Sequence, residues 1–122
     1  MHFMSGLTII VAGTEEQRFH SALSLAAANA ALGRRSRLFL QGEAAALLRA
    51  GAHASDARLS QSGVPTITEL VEEALAMGVE ISVCQSGLAL AGMVADALPH
   101  GVATGGLVEM LSSRGDDQLL MV

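Results

Sequence analysis

Tryptophan and tyrosine are absent, and three phenylalanines leave aromatic residues at 2% of the 122-residue chain. Single-strand nucleic-acid readers stack bases on aromatic rings, so that platform is missing. Seven Lys and Arg stand against twelve Asp and Glu, a net charge of −5 that repels a phosphate backbone. Together these deficits exclude nucleic acid as a direct ligand. Charged residues are 16% of the chain, below the ~25% usual for soluble proteins, while 51% is hydrophobic. This excludes disorder and implies apolar surface that meets a partner. Cysteine occurs once, which excludes an intramolecular disulfide and a Cys-based metal cluster and suits a reducing cytoplasm. No uncharged apolar run approaches the ~18 residues of a membrane span, and Met1-His2-Phe3-Met4-Ser5-Gly6 lacks the basic and apolar regions of a signal peptide. A cytoplasmic protein without membrane contact is expected, as one domain over residues 1–122.

What is present alternates between two periodicities. Leu7 to Ala12, closed by Gly13, reads as a strand buried on both faces. Glu15 to Leu32 reads as a helix with acids at its positive end, a stripe of Phe19, Leu23, Ala26 and Ala30, and Gly33 as its stop. Arg37 to Leu40 gives a second strand and Gly42 to Ala50 a short helix. Residues 51–65 show no periodicity and read as a long loop. Thr66 and Glu69 form a capping-box pair, and Ile67, Leu70, Val71, Ala74 and Leu75 make the helix that follows amphipathic. Val79, Ile81 and Val83 alternate with Glu80, Ser82 and Cys84, which predicts a third strand with one less apolar face. Leu88 to Leu98 reads as a helix covered on more than one side, followed by a short strand at Val102-Ala103, a helix over Leu107 to Ser113, and a last strand over Gln118 to Val122. Strand and helix alternation predicts an α/β fold, a parallel sheet with helices on both faces.

Ligands of such sheets bind at the carboxyl ends of the strands. The segments that reach that edge are Gly13-Thr14-Glu15, Gln41-Gly42-Glu43, Cys84-Gln85-Ser86-Gly87 and Thr104-Gly105-Gly106. Cys84 sits where a strand gives way to a helix, with Ser86 placed as an N-cap. Helix N-terminal N–H groups stabilise a thiolate, so one reading makes Cys84 a nucleophile; the other makes it a buried residue ending an apolar strand. Gly87 and Gly92 permit close approach of either a substrate or a neighbouring backbone. Thr104-Gly105-Gly106 resembles half of a phosphate nest.

The remaining polar residues have plainer readings. His20 is expected to be an exposed helical residue, His53 a solvated loop residue, His100 to lie on the opposite edge from Cys84, and His2 to belong to a mobile terminus. Arg34, Arg35 and Arg37 read as a solvated basic patch at the bottom edge. Glu15, Glu16 and Glu43 complement helix dipoles. No histidine pair has metal-ligand spacing, and there is no G-x-G-x-x-G, Walker or Gly-x-Ser-x-Gly sequence, so neither a metal nor a nucleotide cofactor is expected.

Val83-Cys84-Gln85-Ser86-Gly87, preceded by Gly78-Val79-Glu80-Ile81 and followed by Thr104-Gly105-Gly106-Leu107, resembles the DsrE/DsrF-like family. The resemblance implies a three-layer α/β/α sandwich whose five-stranded parallel sheet has the order 4-3-2-1-5. Members of that family are commonly homo- or hetero-oligomers, and several carry sulfur as a persulfide on one cysteine in relays of tRNA thiolation or sulfur oxidation. Cys84 matches that cysteine. The implied function is a sulfur carrier of sulfurtransferase type, with Thr14, Gln85, Ser86, Gly87, Gly105 and Gly106 as binding residues and the 51–65 loop as a gate. Its partners would be a sulfur donor protein, an acceptor protein, and further copies of the chain in a trimer or hexamer. A disulfide-reductase mechanism is disfavoured because no second cysteine is present. Two other functions compete: an oligomeric binding module in which Cys84 only packs, and a thiol-based redox sensor. The carrier requires a sulfur that is ionised and reachable from water.

Overall fold

A computed structural model describes residues 6–49, 51 and 53–122. Its strands are β1 (Leu7–Ala12), β2 (Ser36–Gln41), β3 (Glu80–Cys84), β4 (Ala103–Gly105) and β5 (Gln118–Met121), and its α-helices are α1 (Glu16–Ala31), α2 (Asp56–Gln61), α3 (Ile67–Ala76), α4 (Gln85–Leu90) and α5 (Leu107–Ser112). All strand pairings are parallel, in the order β4-β3-β2-β1-β5. From β1 to β4 the chain steps toward one edge, so right-handed crossovers put α1, α3 and α4 on one face. The return from β4 to β5 crosses the whole sheet and carries α5 over the other face.

Register and alternation divide the side chains. Ile9 stands beside Leu38, and Leu38 beside Ile81; Ile10 stands beside Phe39, and Phe39 beside Ser82. Ile9, Val11, Leu38, Leu40, Ile81 and Val83 therefore share one face, where they pack with Phe19, Leu23 and Ala26 of α1 and Ile67, Leu70, Val71 and Ala74 of α3. The opposite face holds a small buried cluster of Ile10, Phe39, Cys84 and Met110. The three layers are as expected from the resemblance, but they are unequal. One thick layer carries the core, and a single six-residue helix covers the other side.

Three local expectations are corrected. Gly42–Leu48 is a 3₁₀ segment rather than an α-helix; Ala44 and Ala45 are fully buried, and their small side chains let the tighter backbone press on the core. The loop after it contains α2, which has no buried residue and therefore no apolar stripe for periodicity to reveal. The helix expected over 88–98 is instead α4, ended by Gly92 at φ +67. Met93 N–H bonds to the Leu88 carbonyl at 2.9 Å and Gly92 N–H to that of Ala89 at 3.1 Å, the paired bonds of a Schellman stop. A second 3₁₀ turn, Ala95–Ala97, follows, and Leu90 and Val94 are exposed rather than covered. The capping box is present, with Thr66 Oγ1 accepting from Glu69 N–H at 3.2 Å and Glu69 Oε1 from Thr66 N–H at 2.9 Å.

The supposed solvated basic patch is also corrected at Arg37, which is buried. Its guanidinium donates to Thr8 Oγ1, to Ser113 Oγ at 2.8 Å and to the Met110 carbonyl at 3.2 Å, and it faces Asp117 at 3.7 Å. Arg35 remains half exposed between Glu80 and Asp117. Thr8 in turn donates to Asp117 at 3.0 Å. A buried cation persists only when paired and hydrogen-bonded, and this network satisfies that while tying α5 and the start of β5 to the sheet. The reading of His2 lies outside the described residues.

Candidate functional site

The carboxyl ends of β2 and β3 meet where both strands turn into helical segments. Cys84 is the last residue of β3 and the N-cap of α4, so Ser86 lies in the first helical turn rather than capping it. Burial pushes the Cys84 thiol up, but the neighbouring backbone N–H groups of Gly42, Gly87 and Ser86 and the Ser86 hydroxyl favour the ionised form and outweigh it. The outcome is a thiol held below its ordinary value, by hydrogen bonds to the ionised form.

Gly42 is part of this site for a steric reason. A Cβ on Gly87 would overlap the Gly42 carbonyl oxygen and lie 2.9 Å from the carbonyl carbon. Gly42 itself adopts φ +58, where a side chain is strained. The two glycines let the start of α4 and the 3₁₀ segment touch backbone to backbone, and Gly42 is among the groups that lower the Cys84 thiol. Of the two readings of Gly87, close approach of a neighbouring backbone is the one observed.

Cys84 is buried, 8% exposed, and clusters with Ile10, Phe39 and Met110, so the sulfur expected to be reachable from water is covered in this structure. Gln85 and Ser86, next to it, are exposed. Gly105 pairs directly with Cys84 across the β3–β4 ladder. Gly106 is the N-cap of α5. The phosphate nest does not form: neither glycine has positive φ, and the Glu109 carboxylate lies where a Cβ on Gly105 would be, 2.5 Å from that position. A carboxylate there opposes an anion. Thr14 is exposed beyond the end of β1. A cavity of about 670 Å³ opens beside Cys84's cluster, walled by Phe39, Ser82, Gly105 and Met110 above and by Glu80 and His100 below. His100 is thus at the lower end, away from Cys84, as expected.

The other histidines serve the 51–65 segment. His53 is not solvated; its side chain is 11% exposed and its Nε2 donates to the Leu47 carbonyl at 2.7 Å. His20 Nε2 lies 3.2 Å from the Pro65 carbonyl. Glu16 accepts from Ala54 N–H, from Ser55 N–H and from the Ser55 hydroxyl, and the last of these chiefly lowers its carboxyl pKa. These polar contacts tie the segment to the start of α1 and to Leu47. Among the described residues no group of three or more His, Cys, Asp or Glu is arranged to hold a metal, and no helix is long and apolar enough to cross a membrane.

The model of the DsrE/DsrF-like family matches residues 6–117. The chain belongs to the DsrE/DsrF-like family. The fold is shared with the ychN protein of E. coli, at 26% identity and TM-score 0.76 over 98% of this chain and 100% of that one. A protein of unknown function from Methanobacterium thermoautotrophicum is similar at 18% identity and TM-score 0.70, again over 98% and 100%. A conserved protein of unknown function from Bacteroides thetaiotaomicron aligns over 94% of each chain at 17% identity and TM-score 0.63. Among curated proteins none matches the chain. Membership of the DsrE/DsrF-like family and the strand order 4-3-2-1-5 both agree with what the residues around Cys84 implied. Sequence reasoning missed the part played by Gly42 at the sulfur; its signal was that Gly42 follows β2 as Gln85 follows β3.

Proposed function

We propose that this DsrE/DsrF-like protein is a sulfur carrier that accepts sulfur as a persulfide on Cys84. The observation that carries the reading is the place of Cys84, last in β3 and N-cap of α4 beside the backbone contact of Gly42 and Gly87, with the thiol held below its ordinary value. A thiolate is both a better nucleophile at neutral pH and a better leaving group. In loading, the Cys84 thiolate attacks the outer sulfur of a donor R–S–SH; the new S–S bond forms, the donor's S–S bond breaks, and R–S⁻ departs. In delivery, an acceptor thiolate attacks Cys84–S–SH and Cys84 leaves as the thiolate. Electrons balance within each exchange, so no outside oxidant or cofactor enters. Burial at 8% means that a donor must displace part of the cover over the sulfur.

The carrier acts as a homo-oligomer, a trimer or hexamer. Val108 and Leu111 of α5 and Leu119 and Met121 of β5 are exposed on the thinly covered side, apolar area that assembly would shield. Sedimentation showing a stable 12.5 kDa monomer at micromolar concentration would refute this part. A binding-module function is favoured by one observation, the packing of Cys84 among Ile10, Phe39 and Met110. Treatment with a small-molecule persulfide donor followed by intact mass separates the readings. A gain of one sulfur, lost in Cys84→Ser, supports the carrier. Sulfenic trapping by peroxide alone makes the protein a redox sensor, and no modification leaves a scaffold.

A further inference from the structure

Beside Cys84 stands an acceptor with nothing to accept. The side-chain oxygen Oε1 of Gln41 is shielded from water and has no hydrogen-bond partner. Buried acceptors are rarely left unpaired, and one that is points to a donor supplied in another state of the protein. Strand register shows which residue stands beside it. The β2–β3 ladder pairs Phe39 with Ser82 and Leu40 with Val83, so Gln41 and Cys84, next in each strand, are neighbours at the carboxyl edge. Alternation sends Gln41 to the face already shared by Phe39 and Cys84. The thiol as it stands makes no bond to that oxygen. A second sulfur on Cys84 would extend the side chain by a bond of ~2.05 Å and end it in a new S–H donor.

We propose that Gln41 binds the outer sulfur of loaded Cys84, with Oε1 accepting the hydrogen of Cys84–S–SH. This rests on the carrier reading. An acceptor bonded to the S–H favours the protonated perthiol over its anion. The neutral form is the one an acceptor thiolate can attack without charge repulsion. During delivery A–S⁻ bonds to the outer sulfur, the Cys84–S bond breaks, the electron pair stays on Cys84 as thiolate, and the proton travels with the transferred sulfur. Gln41 is therefore the group that holds that proton in place, and the N–H groups of Gly42, Ser86 and Gly87 receive the charge left behind.

The test compares wild type with Gln41→Met, which keeps length and removes the amide, and Gln41→Glu, which keeps the shape and adds charge. Each protein is loaded with a small persulfide donor, and alkylation of the persulfide is followed against pH by intact mass. In Gln41→Met the ionised-to-protonated ratio at a given pH should rise about fivefold, the value of one neutral hydrogen bond. In Gln41→Glu the same midpoint should move to higher pH, while the unloaded Cys84 thiol of Gln41→Met titrates as in wild type. These opposite shifts separate persulfide binding from a general packing defect. If wild type loads and the Met variant's persulfide titrates identically, the Gln41 proposal is overturned and the carrier stands. If wild type takes up no sulfur, both fall. Should Gln41→Met not fold, Gln41→Leu, which also lacks the amide and adds no charge, is read by the same ratio.

Discussion

Adding one methyl group at Gly87 should switch off the chemistry of Cys84 without touching the cysteine. The Cβ of Gly87→Ala would lie 2.9 Å from the Gly42 carbonyl carbon, whereas carbons in contact sit ~3.5–4.0 Å apart. The obstacle is backbone, which cannot swing aside, so α4 and the 3₁₀ segment must part by on the order of 1 Å. That separation withdraws the Gly42 N–H from the sulfur, while burial continues to push the thiol up. A hydrogen bond to a charged group is worth about 1.5–3 kcal/mol, so losing one raises the midpoint and cuts the thiolate fraction below it by at least about tenfold. Below that midpoint, iodoacetamide should then modify the variant at least about tenfold more slowly than wild type at equal pH. Ser86→Ala, which removes a hydroxyl but no backbone contact, should shift the midpoint in the same direction by less. Rates are read by intact mass across a pH series, with far-UV circular dichroism and thermal melts to confirm folding. A folded Gly87→Ala protein with the wild-type midpoint would refute the argument that backbone contact activates the sulfur.

Three further outcomes follow from the same physical reasoning. Asp117→Ala removes the carboxylate facing buried Arg37 and bonded to Thr8, and should cost about 3–5 kcal/mol in urea denaturation. Arg35→Ala, which removes a half-exposed partner of the same carboxylate, should cost less than about 1 kcal/mol; equal effects would mean that burial is not what makes the network matter. Thr66→Ala destroys the capping box and should lower stability by about 1 kcal/mol, checked by the same denaturation midpoint. Glu16 has a depressed carboxyl pKa because of Ser55. Its contribution is therefore present above its ordinary value of 4.5 and lost as pH falls through the lower folded value. Glu16→Gln should flatten this acid dependence and speed hydrogen exchange at the Ala54 and Ser55 amides; unchanged protection there would show that the contact does not hold the segment.

The parts legible in the sequence are those set by neighbours along the chain. The Thr66–Glu69 cap, the stripe of α1 and the alternation of Val79 to Cys84 each depend on side chains a few residues apart, so periodicity reports them. The same alternation places Cys84 on the face away from the main core. Where the stripe was absent, as in α2, or where one glycine outweighed an apolar run, as at Gly92, local reading failed because apolar content alone does not say where a helix stops. Arg37 looked like one more surface cation, since its partners Thr8, Met110, Ser113 and Asp117 are distant in the chain.

By itself the sequence determined that strands and helices alternate around a parallel sheet and that the one cysteine stands at a strand-to-helix junction. Only the tertiary structure decided that β2 and β3 end side by side, that two glycines let their following backbones touch, and that Gln41, one strand over from Cys84, is left with an unpaired side-chain oxygen. Strand pairing joins residues more than forty positions apart. The acidity of Cys84 comes partly from a group on another strand's turn, and no spacing along the chain encodes that.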